Sequence, residues 1–171
     1  MEFFDVIKKR HSVRSFTSRP IEESKIKEIL EATNSAPSAG NLQSYKIFLI
    51  QDDEKKRELA LASLAQSFVA EAPIVLVFCA DPGRSGKKYS KRGKNLYSIQ
   101  DATIAAAYAQ LAATALGLAS CWVGAFEDKE VLKILGDPEG LVPIAIIPIG
   151  YPAEQPSPTN RRKLDELVQK L

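Results

Sequence analysis

Apolar positions recur at helical spacing over residues 22–33, where Ile26, Ile29 and Leu30 share one face behind Glu22 and Glu23 in the first turn. Residues 2–9 predict a shorter helix, and Tyr45–Ile50 a strand. Asp52 or Asp53 then starts a helix that runs, with a possible break, to about Ala70. Ile74–Ala80 (IVLVFCA) is an unbroken apolar run between Pro73 and Asp81-Pro82-Gly83, the pattern of a fully buried strand. Pro143–Ile149 is another, with Pro148 placing it at an edge or a bulge. Ser120–Val123 predicts a short strand, and Lys129–Leu135 and Leu164–Leu171 predict short helices. Helices and strands alternate without repeats or a low-complexity linker. The simplest architecture is a mixed sheet with helices on both sides, in a single domain spanning 1–171.

The pattern between residues 102 and 126 is different, because no formal charge interrupts it. Its length would suffice for a membrane span. Its contents argue otherwise: alanine dominates, Gln110 and two threonines lie inside, and Gly117 breaks it. A helix apolar on nearly every side is expected inside protein, in a core or a subunit interface. The expectation is therefore no membrane association.

Composition narrows the classes further. Of 171 residues, 45% are hydrophobic and 26% charged, enough to form a core and remain soluble. Twenty-three Lys and Arg against 21 Asp and Glu give a net charge of +2, which does not point to nucleic acid. Cys79 and Cys121 lie far apart, so neither a disulfide framework nor a metal site is indicated. His11 is the one histidine, which leaves no Ser-His-Asp triad to assemble readily. The Met-Glu-Phe-Phe-Asp opening lacks the order of a signal peptide, so a cytoplasmic location is expected.

Four clusters carry candidate chemistry. Lys9–Arg14 combines guanidinium forks with the Ser12 hydroxyl, a set suited to phosphate but also to a solvated helix end. Ala36–Ser44 (APSAGNLQS) is a small-residue loop through which backbone could approach a flat ligand, or a plain connector. It matches neither glycine-rich nucleotide motif. Gly117–Gly124 leads from the buried helix into a strand, with Cys121 reading as a small buried hydrophobe. Pro156–Lys163 is an extended basic segment.

In this order and spacing the clusters resemble the FMN-dependent nitroreductase family. Arg10–Arg14 with Phe16 is similar to its RRSVRxF signature, with His11 at the second position. Ala36–Gln43 resembles the APSxxNxQPW loop, although Ser44-Tyr45 replaces Pro-Trp. Leu116–Gly124 resembles LGLGSCWIG, Gly150-Tyr151-Pro152 the LGYP turn, and Arg161–Leu164 the basic ending, with Lys163 where proline is common. Residues 66–100 depart from the family, being short where larger members carry extra helices.

The resemblance implies an α+β fold: a mixed, mostly antiparallel sheet with helices on both faces, a nitroreductase-like α/β/α sandwich. It also implies a homodimer with FMN at the subunit interface. Arg10, His11, Ser12 and Arg14 would take the phosphate and ribityl chain, with Arg161 and Arg162 completing the charge. Pro37, Ser38 and Ala39 would lie along the ring, with Asn41 at its polar edge. Backbone at Trp122, Val123 and Gly124 would face the reactive nitrogen. No catalytic side chain is assigned, since the flavin carries the redox chemistry. The implied activity is NAD(P)H-dependent reduction of small molecules such as nitroaromatics or quinones by a ping-pong cycle. A reductive dehalogenase, a flavin-consuming enzyme and a non-turnover flavin carrier are the alternatives. A basic run, Arg84, Lys87, Lys88, Lys91, Arg92 and Lys94 with Tyr89 and Tyr97 interleaved, reads as a mobile solvated loop beside the active site, or as a site for a phosphorylated substrate or the phosphates of NAD(P)H; a single such patch is weak evidence for nucleic acid.

Overall fold

A computed structural model describes residues 1–157 and 159–171; Pro158, within the basic C-terminal segment, lies outside the described residues. The element order is α1 (Phe3–Lys9), α2 (Glu23–Asn34), β1 (Tyr45–Ile50), α3 (Asp53–Ala62), α4 (Phe68–Glu71), β2 (Ile74–Ala80), α5 (Pro82–Arg92), α6 (Ser98–Ala115), β3 (Ala119–Ser120), α7 (Asp128–Ile134), β4 (Val142–Gly150) and α8 (Leu164–Leu167). The strands form one sheet in the order β1-β2-β4-β3, and all three ladders are antiparallel. A parallel bridge between Ser12 and Ser120 adds the N-terminal segment at the β3 edge.

The apolar runs read as buried strands do lie at the centre of the sheet. Every residue of β2 is buried, because successive side chains point to opposite faces and both faces are covered. Val75, Val77 and Cys79 pack with Leu59 of α3, Val69 of α4 and Val131 of α7. Ile74, Leu76 and Phe78 pack on the other side with Ile29 of α2 and the alanines of α6. This is the α+β sandwich with helices on both faces. Ala105, Ala106, Ala109 and Ala113 have no exposed surface, and their small side chains let α6 sit close over β2 and β4.

Several boundaries moved for identifiable reasons. The helix expected to about Ala70 divides at Leu64 and Ala65, both in the left-handed region at φ 56° and 59°. Asp52 caps α3, its carboxylate accepting from the Lys55 amide at 2.9 Å. The strand expected over Ser120–Val123 joins the ladder only through Ala119–Ser120, then bridges again at Val123. Pro148 lies beside this gap: its carbonyl accepts from the Cys121 amide at 3.4 Å, but it has no N–H to return the bond. Pro148 therefore sits inside the sheet, between β2 and the interrupted β3 side, and the register shift falls instead between Phe78 and Cys79. The basic run is helical, forming α5 and a π turn over Gly93–Tyr97, rather than the loop expected. Among the described residues no helix is long and apolar enough to cross a membrane.

The N-terminal segment after α1 is sewn onto the sheet and the β4 exit. The Val13 amide donates to the Ser120 carbonyl at 3.1 Å, Thr17 to Tyr151 at 2.9 Å, and Ala153 to Ser15 at 2.9 Å. Gly150 makes this approach possible: a Cβ there would stand 2.6 Å from Pro73 and 3.0 Å from the Phe16 ring. The Tyr151 hydroxyl donates to Glu22 at 2.6 Å and accepts from Lys25 Nζ at 2.8 Å, while Arg19 stacks 4.0 Å over its ring.

The hydroxyl of Tyr151 is the main cause holding the Glu22 carboxyl down at about 2 from an ordinary 4.5. A depressed carboxylate stabilises the fold above its unfolded value, and that contribution fades as pH falls through the folded one. Tyr151→Phe should therefore melt earlier than the wild type near neutral pH, and the gap should narrow between about pH 4.5 and 2. Thermal melts across that range check this; a gap that stays constant to pH 2 would contradict it.

Candidate functional site

The end of α1 and the C-terminal segment meet in one cleft. The Arg10 amide closes α1 by donating to the Val6 carbonyl at 2.9 Å, after which the chain is extended. The segment after β4 returns alongside, and Glu154 accepts from the Arg14 amide. Between them lies a cavity of about 520 Å³ whose walls include Arg10, Ser12, Arg14, Thr159 and Arg161, with His11 and Glu154. Arg161 donates to the Thr159 hydroxyl at 2.8 Å. Among the described residues, no carboxylate oxygen lies within 4.0 Å of the guanidiniums of Arg10, Arg14 or Arg161. Three guanidiniums and two hydroxyls against a single acid give the cleft a donor set suited to a phosphate-sized dianion.

Arg162 is not part of it. Its guanidinium turns to Glu166, 3.3 Å from the carboxylate, and donates to the Glu166 carbonyl at 2.9 Å. Of the two adjacent arginines, the cleft holds Arg161.

The Ser12–Ser120 bridge places this cleft beside Cys121, Trp122, Val123 and Gly124. Val123 is fixed by reciprocal 3.0 Å bonds with Ile146 and is buried, Trp122 is half-buried and Gly124 exposed. Gln110 of α6 donates to the Ser120 hydroxyl at 3.2 Å from below. Burial pushes the Cys121 thiol up, against the opposing pull of Arg14, the Ser12 hydrogen bond and Arg10. Cys121 is therefore a protonated packing group.

The loop over residues 36–44 is held by a residue that the sequence reading passed over. Asp101, in the first turn of α6 and 1% exposed, accepts from the Ala39 amide at 2.9 Å and the Ser44 amide at 3.2 Å. Ser38 accepts from the Gln43 amide at 2.9 Å, and Gln43 donates to the Asn41 side chain. Gly40, Asn41 and Gln43 all have positive φ, so the loop turns tightly around Asp101. Gly40 is also crowded: a Cβ there would meet the Tyr89 hydroxyl and Lys88 Nζ within 2.7 Å. Pro37, Ser38 and Ala39 line a second cavity of about 520 Å³ with Tyr97, Ile99 and Ile104, its walls mostly apolar. The two cavities share no lining residue, and none of Pro37, Ser38, Ala39 and Asn41 lines the arginine cleft.

Asp101 could have been found as the last charge before the uncharged run, at a helix start. Glu154 and Thr159 gave no comparable signal.

The nitroreductase family profile matches residues 7–68 and 60–151, most of the chain. The chain belongs to the nitroreductase family. Among similar proteins is an NADH dehydrogenase of Thermus thermophilus, 32% identical, with 94% of this chain and 91% of that protein covered. An FMN reductase [NAD(P)H] of Bacillus subtilis is 32% identical over 84% of this chain and 63% of its own length. In three dimensions the chain is similar to the NADPH:FMN oxidoreductase of Vibrio harveyi complexed with NAD+. That match has a TM-score of 0.90 at 28% identity and covers 98% of this chain and 76% of that one. The nitroreductase fold thus extends through nearly all of the chain.

Proposed function

We propose that this nitroreductase-family enzyme, an NAD(P)H-dependent oxidoreductase, binds FMN and passes electrons in a ping-pong cycle to nitroaromatic, quinone or related small acceptors. The observation that carries this is the convergence of Arg10, Ser12, Arg14 and Arg161, from opposite ends of the chain, on one cleft with an excess of positive charge. The donor set fits the phosphate of FMN, and the hydroxyls of Ser12 and Thr159 suit the neighbouring ribityl chain. When bound, the flavin supplies the hydride chemistry. The residues' part is to anchor it, exclude water and present backbone from Trp122–Gly124 to the ring.

The flavin site is shared between two copies. Pro37, Ser38, Ala39 and Asn41 do not line the arginine cleft of their own chain, which supports assigning their role along the ring to the loop of a partner. The outer surface supports association: Phe3 and Phe4 of α1 are 62% and 72% exposed, and Leu164, Leu167 and Val168 are also exposed. The outward side of α6, through Thr103, Ala107, Tyr108 and Ala115, carries no charge. Of the two places open to the uncharged helix, a core or a subunit interface, Ala109 and Ala113 take the first and pack fully inside their own subunit. The interface therefore uses other positions. Obligate interfaces of this kind bury about 2,000–5,000 Å². Sedimentation of the flavin-loaded protein at micromolar concentration should give a dimer; a folded, flavin-replete monomer would contradict the shared site.

Anaerobic mixing tests the activity directly. NADH or NADPH should bleach the visible flavin band in the absence of acceptor, and a quinone added afterwards should restore it. Bound flavin that neither nucleotide bleaches would reject the oxidoreductase cycle in favour of a carrier.

A further inference from the structure

The basic run is a helix, broken at Ser90, that lies against the candidate ring loop. Lys87 and Lys88 lie three and four residues after Arg84, so the three share one side of the first turns of α5; the helix breaks at Ser90, where φ is 50°, and Lys91 and Arg92 follow the break. No acid occurs from Pro82 to Gln100, and among the described residues no carboxylate lies within 4.0 Å of these cations. The acids flanking the run are already engaged. Asp81 caps α5 through the Arg84 amide at 2.8 Å, and Asp101 holds the 36–44 loop.

The segment is fixed to that loop at its near end. Arg84 Nε donates to the Leu42 carbonyl, and Lys88 Nζ and the Tyr89 hydroxyl crowd Gly40. Lys87 and Lys91 continue outward as exposed ammonium groups. Behind the loop, Tyr97 walls the apolar cavity beside Pro37–Ala39, while its ring packs against Tyr89 with centroids 5.1 Å apart and its hydroxyl accepts from Arg92 at 3.0 Å. A molecule with a flat ring over the loop and an anionic far end would satisfy both parts.

We infer that α5 is the phosphate-recognition element for the electron donor, with Lys87 and Lys91 reading the 2′-phosphate that distinguishes NADPH from NADH. This rests on the oxidoreductase reading above and goes beyond it by assigning the nucleotide preference to named residues. The added phosphomonoester carries about −1.5 to −2 charge at neutral pH, which this segment, free of carboxylate partners among the described residues, can meet with two exposed ammonium groups. NADPH is then the preferred donor. Because the contact is exposed, the preference weakens as salt screens it.

A binding measurement separates this from the fate of the activity. Calorimetry should show 2′,5′-ADP binding the wild-type protein at least about tenfold more tightly than 5′-AMP, with the gap narrowing as salt rises. In the double variant Lys87→Glu, Lys91→Glu the ratio of the two affinities should fall to about one, with bound flavin and melting temperature retained as checks of the fold. In stopped flow, the ratio of flavin reduction rates with NADPH and NADH should fall in parallel. Equal affinities in the wild type, or a ratio unchanged in the variant, would overturn the assignment. So would tighter, salt-sensitive binding of a mixed-sequence single-stranded oligonucleotide that 2′,5′-ADP does not displace. Flavin that neither nucleotide reduces, with the 2′,5′-ADP preference intact, would instead reject only the oxidoreductase cycle.

Discussion

Arg10→Ala and Arg161→Ala should each weaken FMN binding by roughly ten- to a hundredfold. A hydrogen bond to a charged group contributes about 1.5–3 kcal/mol, and every 1.4 kcal/mol is about tenfold in affinity. Both side chains line the same cleft without a carboxylate partner among the described residues, so neither substitution removes an internal ion pair that the fold uses. The effect should therefore appear in flavin affinity and leave the melting temperature of the flavin-free protein nearly unchanged. Arg162→Ala should have little influence on affinity, because that guanidinium is occupied by Glu166. Fluorescence titration of the apoprotein with FMN measures all three. Equal affinity in wild type and Arg10→Ala would reject the anchoring role.

Asp101→Ala should damage stability and flavin binding together. Its carboxylate accepts from the amides of Ala39 and Ser44, and Ser44 is itself fully buried. Losing the acceptor strands two amides, at a cost of roughly 1–3 kcal/mol each where they cannot reach water. Leu42 and the positive-φ residues Gly40, Asn41 and Gln43 lie between those two anchors, so the loop should lose its shape before the sheet does. Asp101→Asn keeps one acceptor oxygen and should fall between the wild type and alanine. Melting curves and flavin content of the two variants test this; an alanine variant that melts and binds FMN like the wild type would show that the loop is held by other contacts.

Much of the architecture can be read from apolar runs and their punctuation. β2 is recognisable because both faces of a central strand are covered, which makes IVLVFCA continuous rather than alternating. The buried helix α6 is recognisable from its missing charge, although it begins at Ser98, before the uncharged stretch. α5 escaped notice for the opposite reason: Gly83, Gly86 and a run of lysines give no apolar periodicity, and only Ser85 is buried along it. The break in β3 depended on Pro148, a residue distant in sequence that removes a donor across the ladder.

The candidate site divides in the same way. Arg10, Ser12 and Arg14 form a legible local motif, but their meeting with Arg161 depends on Val13 pairing with Ser120 and Ala153 with Ser15. Such long-range backbone pairing leaves no mark in local composition. Arg161 and Arg162 look alike as neighbours in a basic segment, and the fold separates them by giving Arg162 the Glu166 carboxylate one helical turn onward. Asp101 was obscured by its surroundings, a single acid between a basic run and an alanine-rich helix.

The visible absorbance spectrum of the protein as purified shows whether a flavin is held among these arginines. The expected result is a yellow protein with one FMN per chain, released on denaturation and restored on adding FMN to the refolded protein, with riboflavin, which lacks the phosphate, binding far more weakly. A colourless protein that takes up no FMN, or one that binds riboflavin as tightly as FMN, would contradict the placement of a flavin phosphate among Arg10, Arg14 and Arg161.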